Sequence, residues 1–120
     1  MGKWQILIIG NDMEFYHLFQ DSMAQADISI CTVNWPMETL SSLCGRNIVC
    51  ILWICRLLDT EYLKAIQVIR KKCSNPILVL LPSFSAEEKS MLFQSGANKC
   101  LERPTDVNIC AAEAYAMIQG

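Results

Sequence analysis

The run from Ile48 to Leu58 (IVCILWICRLL) is apolar apart from Arg56. Gly45-Arg46-Asn47 precedes it and Asp59-Thr60 follows. It falls well short of the ~20 apolar residues that a membrane span needs. It does not alternate between apolar and polar residues, so both of its faces must be covered. That pattern belongs to a central strand of a parallel sheet rather than to a half-wet antiparallel strand. Such a strand delivers its carboxyl end into the crevice where open α/β sheets hold ligands. Here that end is Trp53-Ile54-Cys55, and no carboxylate stands there.

The rest of the chain repeats a strand–helix alternation around this run. Trp4 to Ile9 is a short β-rich run, broken by Gly10-Asn11-Asp12. Phe15, Leu18, Phe19 and Ser22/Met23 then recur at helical spacing, with Asn11 or Asp12 placed to cap the start. Asp27 to Val33 alternates and reads as a strand nearer an edge. Asn34-Trp35-Pro36 opens a second helix with apolar Leu40, Leu43 and Cys44, and Gly45 stops it. After the central run, Asp59 or Thr60 caps a third helix whose stripe is Leu63, Ile66 and Ile69/Arg70. Asn75-Pro76 turns the chain into Ile77 to Leu81, a second doubly buried strand. Ser85 and Glu88 form a capping box, opening a fourth helix with Met91, Leu92 and Ser95 that Gly96 ends. Lys99-Cys100-Leu101 is a brief fifth strand. A fifth helix carries Val107, Cys110, Ala111, Ala114 and Met117/Ile118 on one face. The expected fold is a single α/β domain over residues 1–120, a (βα)5 parallel sheet with helices on both faces.

Charge and cysteine usage narrow the function. Net charge is only −2, and the one basic cluster, Arg70-Lys71-Lys72, sits where a helix ends and suits its dipole. A nucleic-acid grip would need a broad basic face. Nothing reads as a signal peptide or membrane span, so the expected location is the cytoplasm, without membrane contact. There are seven cysteines and a single histidine, His17. Cys/His zinc spacing cannot be built from them. The odd count and absent secretory signal argue against a disulfide framework. Most of the cysteines read as small buried hydrophobes, and His17 as a surface residue.

The segment Gly96-Ala97-Asn98-Lys99-Cys100-Leu101-Glu102-Arg103-Pro104 resembles the closing signature of response-regulator receiver domains, with Gly96-Ala97 and Pro104 matching. Ile6 to Ile9 resembles their first strand and Pro76 to Leu80 their fourth. The resemblance spans the whole chain and implies the flavodoxin-like receiver fold, strand order 2-1-3-4-5. The last helix is similar to that of OmpR-type regulators, where it leads into a DNA-binding domain.

In that family two acidic residues after the first strand hold Mg²⁺, and an aspartate ending the third strand accepts the phosphoryl group. A Ser or Thr ends the fourth strand and a Lys the fifth. Metal, hydroxyl and ammonium offset the charge on the transferred group. This sequence departs from each requirement. Gly10 and Asn11 stand at the acidic pair, with Asp12 one place late. The acceptor position falls on Ile54, or on Leu52 or Trp53 in alternative alignments. Leu81 replaces the hydroxyl residue, Arg103 the lysine and Cys100 the aromatic switch. The resemblance thus implies a degenerate pseudo-receiver with no catalytic residue, metal ligand or cofactor. Apolar Ile54 and Leu81 with neutral Asn11 should relieve like-charge crowding and leave a crevice partly filled and drier.

The leading expectation is a signalling module that works by protein contact or homodimerises through its fourth helix, fifth strand and fifth helix. It would regulate transcription through an attached DNA-binding domain that this chain does not contain. The alternative is a small-molecule or anion sensor that uses Asn11, Ser83 and Arg103, the last because guanidinium suits phosphate and carboxylate. An ion pair of Arg103 with Glu102 or Asp12 is the plainer role. Redox sensing at Cys55 or Cys100 would need a lowered thiol pKa beside Arg56 or Arg103. A flavodoxin-like enzyme would need a phosphate loop that Gly10-Asn11-Asp12-Met13-Glu14 does not supply.

Overall fold

The computed structural model describes residues 4–33, 47–56, 58–103 and 106–119, and elements are numbered among these. In chain order they are β1 (Trp4–Ile9), α1 (Met13–Ser22), a 3₁₀ turn (Ala24–Ala26), β2 (Ile28–Val33), β3 (Ile48–Ile54), α2 (Thr60–Lys72), β4 (Ile77–Leu81), α3 (Ala86–Ser95), β5 (Lys99–Glu102) and α4 (Val107–Gln119). The helix expected between Asn34 and Gly45 lies outside the described residues, as do Leu57, Pro104 and Thr105. The third, fourth and fifth expected helices are therefore α2, α3 and α4.

The strands form one parallel sheet in the order β2-β1-β3-β4-β5, the order expected of the receiver fold. β3 is central, and its residues are all buried except Val49. The apolar run ends as a strand at Ile54, short of Leu58.

Strand side chains point alternately to opposite faces, and this divides the apolar residues into two cores. Leu7, Ile9, Ile51, Trp53, Ile77, Val79 and Leu81 face one way, against Ile66 and Ile69 of α2 and Leu92 of α3. Ile6, Ile8, Cys50, Leu52, Leu78 and Leu80 face the other, against Phe15 and Phe19 of α1 and Cys110, Ala111 and Ala114 of α4. Each fully buried aliphatic or aromatic side chain contributes about 1.5–3 kcal/mol, and two full layers explain why the central strands need no polar face.

The helix starts follow local chemistry. Asp12 accepts from Phe15 N at 3.0 Å and caps α1. Asp59 accepts from Tyr62 N at 3.0 Å and caps α2. The Ser85–Glu88 box is complete in both directions, at 2.8 and 3.1 Å. Two stripe positions differ from the sequence reading: Leu18 is 50% exposed and Met91 37%. On α1 the inward row is Phe15, Phe19 and Met23, which places Leu18 beside the row rather than in it.

The far end of the sheet is tied by Arg70. Its guanidinium donates to the carbonyls of Gly96 (2.7 Å) and Asn75 (2.7 Å) and to Asn98 Oδ1 (2.7 Å). Asn98 Oδ1 also accepts from Ile77 N at 2.8 Å. One side chain therefore joins α2 to both ends of the α3–β5 turn and to the entry of β4.

Candidate functional site

The carboxyl ends of the parallel strands converge by backbone pairing. Gly10 N donates to Val33 O at 3.0 Å, Cys55 N to Leu80 O at 2.8 Å and Arg103 N to Leu81 O at 2.7 Å. This brings the chain just after β1, β3 and β5 to one edge. Gly10, Asn11, Asp12, Ile54, Arg56, Tyr62 and Arg103 line a crevice there of about 760 Å³. It lies where open α/β sheets place ligand sites.

Gly10 has φ +144°, a conformation that side-chain-bearing residues rarely adopt. A Cβ at Gly10 would stand 3.0 Å from the Cβ of Ile54 and 3.3 Å from its carbonyl. The tip of β3 is therefore pressed against the residue that follows β1. Ile54 is 8% exposed and closes the floor of the crevice with an apolar surface.

Asp12 uses both carboxylate oxygens. One accepts from Phe15 N, and the other accepts from Arg103 Nη2. The backbone N–H of Phe15 and then the Arg103 guanidinium hold its carboxyl below the usual carboxylate range, because each favours the charged form. The Arg103 guanidinium also lies 5.7 Å from the centroid of the Phe15 ring, within cation–π range. Arg103 thus packs onto α1 as well as pairing with it.

On the opposite wall Tyr62 meets Trp53 edge to face, with centroids 6.1 Å apart. Burial raises the Tyr62 hydroxyl above its ordinary pKa. Arg56 is exposed at the rim. Among the described residues it has no ion pair.

The structure brings Gly10, Asn11, Asp12, Ile54 and Arg103 together at one edge. It buries Trp53 fully, and Leu81 to 1% exposure, in the core behind. Ser83 is exposed on the loop after β4 and is not among the lining residues, so Asn11, Ser83 and Arg103 do not share this crevice. Arg56 and Tyr62 take the remaining wall. Their signal in the sequence was position alone: they closely follow the carboxyl end of the central strand.

Cys55 and Cys100 are buried rather than at the mouth of the crevice. Burial pushes the Cys55 thiol up to about 12 and raises that of Cys100. A reactive cysteine needs the opposite shift. Among the described residues, no group of three or more His, Cys, Asp or Glu side chains is placed to hold a metal ion. No described helix is long and apolar enough to cross a membrane.

No protein-family model matches the sequence, and no curated protein matches it. Solved structures do. The fold and its strand order are those of response-regulator receiver domains.

The chain is similar to a two-component response regulator from Clostridium difficile, with TM-score 0.83, 20% identity, and coverage of 96% of this chain and 95% of that one. It is similar to a response regulator from Thermotoga maritima, with TM-score 0.82 and 12% identity over the full length of both. An orphan response regulator of H. pylori matches with TM-score 0.81, 18% identity, and 98% of each chain covered.

Proposed function

We propose that this chain is a receiver-type signal-transduction domain that works by protein contact and does not take up a phosphoryl group. The observation that carries this reading is the tip of β3. Ile54 stands there, 8% exposed and against Gly10, where the chemistry of a receiver requires a carboxylate nucleophile. An aliphatic side chain has no atom that can accept phosphate. The nearest acid in the crevice, Asp12, is engaged by a helix cap and by Arg103, which leaves it poorly suited to hold Mg²⁺.

The contact surface in this reading is α3, β5 and α4, available to a protein partner or to a second copy. Lys99 Nζ pairs with Glu113 Oε1 at 3.0 Å, bracing β5 against α4. Phe93 on α3 and Ile109 on α4 are 41% and 50% exposed. Transcription regulation would follow where a DNA-binding domain is joined to this one.

The test is incubation with acetyl phosphate and Mg²⁺, followed by intact-mass measurement. The expected mass is unchanged, and beryllofluoride gives no thermal shift. A species heavier by one phosphoryl group overturns the reading. Sedimentation should show self-association that is indifferent to acetyl phosphate.

A further inference from the structure

We infer that the crevice is a reversible binding site for a small organic phosphate monoester, with Arg56 and Arg103 as its anion-holding residues. The inference rests on the non-phosphorylated reading of the same crevice: with Ile54 in place of an acceptor, an anion entering here is held and not transferred.

Three observations support it. First, two guanidinium groups line one crevice, and among the described residues the only carboxylate lining it is Asp12. Asp12 already lies in an ion pair with Arg103. That leaves the exposed charge of Arg56 uncompensated among the described residues. It also leaves Arg103 with donors to spare, since a guanidinium carries five N–H groups and Asp12 takes one.

Second, the lining is of mixed character. Asn11 adds an amide to the two guanidinium groups, whereas Ile54 and Tyr62 present apolar and aromatic surface. A ligand with a charged head and an apolar or aromatic body matches that mixture.

Third, the crevice measures about 760 Å³, within the roughly 300–1,000 Å³ range of small-molecule sites. A bare phosphate ion would leave most of it unfilled. The planar guanidinium fork matches phosphate oxygens in pairs. A tetrahedral head can offer separate oxygens to Arg56 and Arg103, whereas a carboxylate has only two to divide between them.

The probe is phenyl phosphate, compared with inorganic phosphate, benzoate and phenol. It is titrated into the ¹⁵N-labelled protein and followed by amide chemical shifts, with intact mass taken on the same samples. The expected result is saturable binding tighter than about 1 mM, with shifts concentrated at Gly10, Asn11, Ile54 and Tyr62 and no change of mass. Inorganic phosphate binds more weakly at the same amides, and phenol does not bind. Arg56→Gln, an exposed change that leaves the core intact, weakens binding about tenfold or more. Arg103→Lys keeps a charge for Asp12 but loses the fork and also weakens binding. Lys72→Gln, at the far end of α2, leaves affinity unchanged.

Affinity unaltered by Arg56→Gln, shifts elsewhere on the surface, or no saturation overturns the site. Benzoate binding more tightly than phenyl phosphate overturns the phosphate assignment. Neither result affects the reading of Ile54, which fails only on a covalent gain in mass.

Discussion

Gly10 and Ile54 meet at the ends of β1 and β3, so closely that a Cβ on Gly10 would lie 3.0 Å from that of Ile54. Two costs bear on any side chain at position 10: the φ of +144° and the contact. Gly10→Ala should destabilise the domain by about 1–3 kcal/mol, the usual cost of a residue held in a sparsely populated backbone region. Pairing it with Ile54→Gly removes the Cβ that the new side chain meets, but not the φ or the approach to the carbonyl of residue 54. The double variant should therefore be more stable than the sum of the two single effects predicts, yet below the parent. Urea midpoints of the four proteins decide this, and simple additivity would show that the contact is not felt.

The Asp12–Arg103 pair should give the domain an acid-sensitive component. Asp12 has a lowered folded pKa, so its stabilisation is fully present above the unfolded carboxylate value of 3.8. It is lost as pH falls through the lower folded value. Asn caps helices as well as Asp does, so Asp12→Asn isolates the charge. The variant should lose stability at pH 7 and show a shallower decline below pH 4 than the parent. Asp12→Ala should lose a further ~1 kcal/mol from the missing cap. Thermal melts across pH 2.5–7 make the comparison, and parallel acid limbs would exclude the linkage.

Arg70 should matter more than a surface cation usually does. Its guanidinium satisfies the carbonyls of Gly96, Cys73 and Asn75 together with Asn98. Hydrogen bonds to a charged group contribute about 1.5–3 kcal/mol each, but those on one side chain are not additive. Arg70→Ala should cost about 3 kcal/mol, and Arg70→Lys should recover only part, since an ammonium cannot span the same acceptors. Hydrogen exchange should quicken first at Ile77, whose N–H is held by Asn98. A loss under 1 kcal/mol in denaturant melts would show the carbonyls to be satisfied by water instead.

The cysteines should separate by burial. Cys50 and Cys55 are pushed up to about 12 and Cys110 to about 11, each chiefly by desolvation. Cys31 and Cys73 are partly exposed. Under native conditions at pH 8, N-ethylmaleimide should label Cys31 and Cys73 well before Cys50, Cys55, Cys100 and Cys110. Peptide mapping over time reads the order, and early labelling of Cys55 would reopen a redox role.

The fold was legible because its signals are local and repeated. Doubly buried strands read as unbroken apolar runs, and caps such as Ser85–Glu88 depend on residues three apart. The limits were local too. The run from Ile48 to Leu58 gave no sign that the strand stops at Ile54, because strand ends depend on pairing partners. Leu18 and Met91 looked inward because helical spacing fixes a face only to within a neighbouring row.

The chemistry of the crevice divides along the same line. The sequence by itself determined which residues close the central run, Trp53-Ile54-Cys55, with no carboxylate among them. It also determined the parallel βα alternation, through hydrophobic pattern and capping. Only the tertiary structure decided which residues share the crevice. It joined Arg103 to Asp12, 91 positions earlier, placed Arg56 and Tyr62 on the lining and left Ser83 outside it. Those relations arise where the carboxyl ends of strands distant in sequence are brought side by side by backbone hydrogen bonds, and no local pattern encodes that distance.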